Sequence, residues 1–401
     1  MKTDFPKPLT DEDWAFKAIE IQELFSPAAP INEASLIAGR QPQIGALTSA
    51  IFERGRHAIL FGERGVGKTS LANTFHMMFA GKMRSIVSIR KPAFPTDDFS
   101  SIWRRVFSEI QVDGVKVSER YPGKIDPDDI VRELGGFSQN TLPIIILDEF
   151  DKFTDTDAKK LMSHTLKALS DDRAANVTIV IVGVAEDVKI LVEEHSSISR
   201  NITEIKMPRM DSNEMAEILD QRYPKVGFTI QAETKRDILS LARGLPEYIH
   251  FLGRDAAVNA AKNKRLKINN NDLDFAIKKM VHSSDQTSED AYSGAVLSNK
   301  KNNLYKQVLL ACALAKHDDL GRFTPSDVLP ALTQLLGRPI KIANFFPHIE
   351  AFCDLERGGM IEKKGVPKAY KYRFREPKMQ PYVIMKGVAD ELISHESLIN
   401  F

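Results

Sequence analysis

Apolar residues in the first half of the chain come in short unbroken runs set between amphipathic stretches. The runs "HAILFG", "RSIVSIR", "LPIIILDEF", "VTIVIVGV" and "ITEIKMP" fall between His57 and Pro208 and are of strand length. Because they are apolar on both faces, they predict a parallel sheet covered by helices on each side. After Gly67 the pattern becomes helical, with Leu71, Phe75, Met78 and Phe79 on one face. From 211 to 282 strand signals vanish and helical ones follow one another, opened by Asp211 with Glu214 as a capping pair. The stretch 283–302, "SSDQTSEDAYSGAVLSNKKN", is polar and serine-rich and reads as a linker with a helical part. Beyond it come the helix "LYKQVLLACALAK", a helix opened by "TPSD" at Thr324, a third around "IANFFPHIEAFCDLERGG", and two short strands around "MIEKKG" and "YKYRFR". Helix, helix, helix and hairpin is the order of a winged helix. In the third helix Phe345, Phe346, Ile349 and Phe352 read as the core face.

The expected organisation is therefore an N-terminal arm over 1–35, rich in Pro, Asp and Glu and packing onto the first domain; an α/β core over 36–210; a helical lid over 211–282; a linker over 283–302; and a winged-helix domain over 303–401. A length of 401 residues, with 43% hydrophobic and 27% charged, suits such a set of folded domains. Lys and Arg number 55 against 54 Asp and Glu, so no global field points to nucleic acid or membrane, and any basic surface is local. The N-terminal stretch lacks the apolar core of a signal peptide, and no apolar run reaches the ~20 residues of a membrane span. A cytoplasmic protein without a membrane partner is the expectation. Cys312 and Cys353 fit no metal-ligand spacing and read as free thiols.

The candidate chemistry begins at "FGERGVGKTSLAN", where Gly62-x-x-x-x-Gly67-Lys68-Thr69 fits a P-loop. Such a loop closes backbone N–H groups around phosphate oxygens, so side chains must be absent at its glycines. Gly62, Glu63, Arg64, Gly65, Val66, Gly67, Lys68, Thr69 and Ser70 form the candidate ATP cradle. Lys68 meets the β- and γ-phosphates, and the Thr69 hydroxyl ligates Mg²⁺. A strand before the loop and a helix after it argue against a chance glycine-rich turn. In "LPIIILDEFDKF" an apolar strand ends in Asp148-Glu149, which sets two carboxylates at the edge where parallel sheets bind ligands. Asp148 is the candidate Mg²⁺ partner and Glu149 the group that orients and polarises the attacking water.

These motifs establish a nucleotide-binding protein, and the flanks narrow the resemblance. "LIAGRQPQIGALTSAI" before the P-loop strand, "SSISRNITEIKMPRMDSNEMAEIL" after the fourth strand, the helical segment and the C-terminal winged helix together resemble AAA+ ATPases of the origin-recognition and archaeal replication-initiator type, over about residues 36–378. The resemblance implies an ATPase of slow turnover that forms a homo-oligomer, contacts double-stranded DNA and hands the assembled state to an effector protein. Replication initiation, transposon target selection and anti-phage defence are the settings it suggests. It also implies an arginine finger acting in trans, whose Ser-Arg setting matches Ser199-Arg200, with Arg209 as a second candidate. Two departures stand out. Ala185-Glu186 occupies the place of a polar sensor, and Gly244-Leu245-Pro246-Glu247 replaces a lid sensor arginine, with Arg243 or Arg254 to compensate. The Gly-x-Pro resembles that of STAND signalling ATPases, whose lid proline lies against the nucleotide, which makes Pro246 a candidate nucleotide contact. Both departures favour a slow switch over a motor.

The hairpin from Lys363 to Lys378 carries seven basic residues and one acid, with Tyr370 and Tyr372 interleaved. Lys363, Lys364, Lys368, Lys371 and Arg373 are its candidate DNA contacts. The preceding helix carries Glu350, Asp354 and Glu356 beside Lys341, His348 and Arg357, a poor set for reading bases. Shape-driven DNA contact and a STAND-like scaffold whose winged helix docks protein both remain open on the sequence.

Overall fold

The structure, a computed structural model, describes residues 9–25, 38–79, 85–138, 140–172, 175–185, 188, 200–300, 303–366 and 369–401. It divides into two compact units, Pro30–Pro208 and Met1–Ala29 with Arg209–Phe401. The first helix, α1 (Asp11–Leu24), belongs to the second of these.

The unit Pro30–Pro208 contains α2 (Gln41–Phe52), β1 (His57–Gly62), α3 (Lys68–Phe79), β2 (Ile86–Pro92), α4 (Phe99–Phe107), a short hairpin of β3 (Gln111–Val112) and β4 (Val115–Lys116), α5 (Pro127–Gly135), β5 (Leu142–Asp148), α6 (Thr156–Asp171), β6 (Thr178–Val184) and β7 (Ile202–Met207). Each of the five apolar runs forms one strand of a parallel sheet in the order β2-β5-β6-β1-β7. The central strands are buried almost throughout, as strands covered on both faces must be, while β7 at one edge exposes Glu204 and Lys206. One face packs on a core that includes Trp103, Phe107, Phe150 and Phe153. On α3 the buried stripe runs through Lys68, Leu71, Ala72 and Phe75 and continues to Phe79, which stacks on Phe75 with centroids 4.9 Å apart. Met78 was expected on that stripe but is 41% exposed, because a stripe centred on those positions leaves 78 at its rim.

The second unit continues with α7 (Ser212–Arg222), β8 (Thr229–Ile230), α8 (Ala232–Ala242), α9 (Pro246–Lys262), β9 (Lys267–Ile268), α10 (Asn270–His282), α11 (Gln286–Val296), α12 (Tyr305–Leu314), β10 (Arg322–Phe323), α13 (Pro325–Leu336), α14 (Ile342–Phe352), β11 (Ile361–Lys364), β12 (Lys371–Phe374) and α15 (Met379–Ala389). Asp211 and Glu214 cap α7 reciprocally. The described part of the N-terminal arm, α1 to Phe25, packs within this unit, where a buried arginine captures its end. Arg222 Nε donates to the Leu24 carbonyl at 2.9 Å, and Phe25 is buried against Tyr223, with centroids 5.5 Å apart. The stretch read as a linker is largely the helix α11, capped by Asp285 and tied at its end by Arg357, which donates to the carbonyls of Ala295 (3.2 Å) and Leu297 (2.8 Å). From α12 onward the order is helix, strand, helix, helix, strand, strand, with β10 joining an antiparallel sheet in the order β10-β12-β11. Phe345, Ile349 and Phe352 form the buried face of α14, spaced one and two turns apart, whereas Phe346 points outward and is 37% exposed. Among the described residues no helix is long and apolar enough to cross a membrane.

Candidate nucleotide site and basic hairpin

The phosphate loop joins β1 to α3 at the carboxyl edge of the sheet. Gly62, Gly65 and Gly67 all have positive φ, 152°, 86° and 94°, a region closed to most side chains. At Gly62 there is also no space, because a Cβ would sit 2.3 Å from the Met207 carbonyl oxygen of the neighbouring strand. Val66 is buried, and its carbonyl accepts from Nη2 of the buried Arg40 at 2.9 Å. Arg64 and Gly65 are exposed at the tip, Glu63 is half-buried, and Ser70 lies in the first turn of α3. Lys68 folds back over the loop, donating to the carbonyls of Gly62 at 3.1 Å and Glu63 at 2.7 Å. Burial pushes its pKa down to about 8, against the pull of Asp151, Asp148 and Glu63.

The acidic pair reaches the same place from β5, which is separated from β1 by β6. Asp148 is 1% exposed, and its Oδ1 accepts from the Thr69 hydroxyl at 3.3 Å and from the Glu149 N–H at 2.8 Å. Its Oδ2 pairs with Arg90 Nη2 at 2.5 Å. Glu149 sits at φ 55°, uncommon outside glycine, and its half-exposed carboxylate pairs with Lys152 at 2.9 Å. Asp151 accepts from the Val184 N–H at 2.7 Å, which pins the turn after β5 to the end of β6. A hydroxyl and a carboxylate are hard oxygen donors of the kind magnesium takes together with phosphates and water. Thr69 and Asp148 fit Mg²⁺ in that respect; among the described residues no cluster of three His, Cys, Asp or Glu could hold a metal ion alone.

Arg200 is exposed, two residues before β7. Register puts His57 beside Ile202 and Gly62 beside Met207, so Arg200 lies at the amino edge of the sheet while the phosphate loop lies at the carboxyl edge. β1 has 6 residues, so those edges are about 17 Å apart. Arg209, the second finger candidate, is engaged inside the second unit, where it donates to the Arg243 carbonyl at 3.2 Å and to Gln380. The two compensating arginines are engaged there too. Arg243 donates to the carbonyls of Leu314 (3.4 Å) and Ala315 (3.2 Å), and burial lowers its pKa to about 10. Arg254 pairs with Asp255 at 2.9 Å. Pro246 opens α9 at its first turn, after Gly244 at φ 81°, where a Cβ would lie 2.7 Å from the Arg209 Cβ. That packing holds the Gly-x-Pro turn on residues 209–210. Ala185 is buried; Ser199, Glu186 and Lys368 lie outside the described residues.

Within the hairpin each described basic residue has an intrachain partner. Lys363 pairs with Glu350 at 2.9 Å, Lys364 with Glu362 at 3.7 Å, Lys371 with Asp318 at 3.0 Å and Lys378 with Asp285 at 2.7 Å. Arg373 pairs with Glu362, and Arg375 donates to the Gly359 carbonyl at 3.0 Å. Asp318, Glu350 and Asp285 come from elsewhere in the chain, which is why the sequence of the hairpin alone overstates its charge. Cys312 and Cys353 are free, the first buried and the second half-buried.

A family described as an AAA domain matches residues 52–191. No curated protein matches the chain. Among solved structures, the Walker-type ATPase PABY2304 of Pyrococcus abyssi is 17% identical over 90% of this chain and 99% of its own, with a TM-score of 0.52. Cdc6p from Pyrobaculum aerophilum is 16% identical over 92% of this chain and 98% of its own, with a TM-score of 0.48. The Orc1 protein of Aeropyrum pernix, solved in complex with DNA, is 14% identical over 89% and 94%, with a TM-score of 0.48. At such identities the first of these establishes likeness of fold.

Proposed function

We propose that this chain, whose residues 52–191 carry an AAA domain, is an ATP-driven assembly switch. The observation that carries the reading is the convergence of Lys68, Thr69, Asp148 and Glu149 from two separate strand ends. Lys68 releases the loop carbonyls and takes the nucleotide's outer phosphates, while Thr69 and Asp148 hold Mg²⁺, which supplies charge neutralisation at the phosphates. Glu149, after release from Lys152, orients water. The edge position of Arg200 supports a role at a neighbouring copy's phosphates, since it stands a strand length away from those of its own chain. Turnover then depends on assembly.

As the test, Lys68→Ala abolishes ATP binding, whereas Glu149→Gln binds ATP, fails to turn it over and accumulates as the assembled form. Wild-type turnover in Glu149→Gln removes that residue from its role.

The segment from α12 to β12 is taken as a winged helix that contacts double-stranded DNA through Lys363, Lys364, Lys368, Lys371 and Arg373 and passes the assembled state to an effector protein. A second reading has specific support: the pairing of the hairpin's cations, together with the outward Phe346, suits a winged helix that docks protein in a STAND-like scaffold. Titration of mixed-sequence duplex DNA at two salt concentrations separates the two. Affinity that falls steeply with salt supports DNA contact, and absent or salt-independent affinity supports protein docking.

A further inference from the structure

Both carboxylate oxygens of Asp148 are engaged by the chain itself, Oδ1 by Thr69 and the Glu149 N–H and Oδ2 by Arg90, and the two are divided by role. Oδ1 faces Thr69, on the side where a metal would sit. Oδ2 faces Arg90. The guanidinium also reaches Asn73 Oδ1 at 3.4 Å, so it spans from α3 to β5. Arg90 lies on β2, the strand paired with β5, and the register that sets Pro92 beside Asp148 brings the arginine within reach of that carboxylate. Nothing in the P-loop or in the Asp-Glu pair requires an arginine here.

We propose that Arg90 is a positioning residue of the nucleotide site, one that turns the Asp148 carboxylate toward Thr69 and keeps a bare divalent cation out until a nucleotide carries one in. The proposal rests on the nucleotide reading above. Its physical basis is charge compensation: without nucleotide, Asp148 is matched by Arg90 and Glu149 by Lys152, so a free cation meets no uncompensated carboxylate in this pair and must approach two cationic side chains, Arg90 and Lys68. A triphosphate brings several negative charges and reverses that balance. The planar fork of arginine suits both jobs, because it can fix one carboxylate oxygen while its second arm stays on Asn73.

The experiment uses the full chain and Mn²⁺ as a paramagnetic probe, with free Mn²⁺ measured by electron paramagnetic resonance. In nucleotide-free protein, Arg90→Gln is expected to bind Mn²⁺ at least tenfold tighter than wild type, and adding Asp148→Asn to that variant removes the gain. Equal Mn²⁺ affinity in wild type and in folded Arg90→Gln overturns the proposal. Arg90→Lys keeps the charge without the fork, so its nucleotide-free Mn²⁺ affinity stays at the wild-type value; if Arg90→Gln does not fold, Arg90→Met, which also removes the charge, is measured in its place with the same two outcomes. Tighter Mn²⁺ binding in Arg90→Lys overturns the charge argument. A parallel titration with ATP keeps the two readings apart. Wild type that fails to bind ATP defeats the nucleotide reading, whereas ATP binding with unchanged Mn²⁺ affinity in Arg90→Gln defeats the Arg90 assignment alone.

Discussion

Lys68 is held over its own loop as a partly desolvated ammonium, with a pKa near 8 set by burial. Phosphate oxygens favour its charged form, so ATP binding at pH 8 takes up about half a proton per site. Calorimetry in two buffers of different ionisation enthalpy measures this, and a binding heat independent of buffer at that pH would contradict it. A second titration concerns His57, which is fully buried, accepts from the Ile179 N–H at 3.1 Å through Nδ1 and donates to the Leu166 carbonyl at 3.0 Å through Nε2. The ring is therefore neutral, and burial lowers its pKa from 6.5 to about 4. Between those two values the unfolded chain binds the proton and the folded one does not, so stability falls as pH drops through that window. Thermal melts between pH 7 and 4 should show a steadily falling midpoint, and a flatter profile in His57→Gln, provided that variant folds.

Strands and phosphate loop were readable because each is a local pattern: continuous apolar runs for strands buried on two faces, and glycines at fixed offsets for a loop that needs positive φ. Arg90 and Arg40 were not readable. An arginine on a strand has no local signature, and its meaning depends on β2 lying next to β5, an order that periodicity does not specify. The hairpin misled for the same reason, since Asp318 and Glu350 are distant in sequence but adjacent to it in space. An element-level consequence follows from Glu350, which accepts from both Lys363 and the Tyr372 hydroxyl. If the segment from α12 to β12 contacts DNA as proposed, Glu350→Gln releases a cation toward phosphate and strengthens duplex binding about threefold at low salt, as measured by fluorescence anisotropy. At the other end of the fold, Gly62→Ala forces a Cβ against Met207, and the variant should lose both thermal stability and ATP binding.

At the scale of the assembled molecule, the proposed finger Arg200 on one sheet edge and the phosphate loop on the other make a specific prediction about mixtures. Arg200→Ala retains a complete site and lacks the finger; Glu149→Gln is the reverse. Each alone is inactive, yet an equal mixture should recover turnover at about a quarter of its interfaces, those where an intact site meets an intact finger. No recovery on mixing would place both groups within one chain. The same opposition of Arg200 to the phosphate loop across β1 and β7 gives any such assembly a direction. If Arg200 serves a neighbouring copy's site as proposed, one terminal subunit of an open chain of copies has an unserved site and the other an idle arginine, so a nucleotide would persist at one end, and only closure into a ring would remove it.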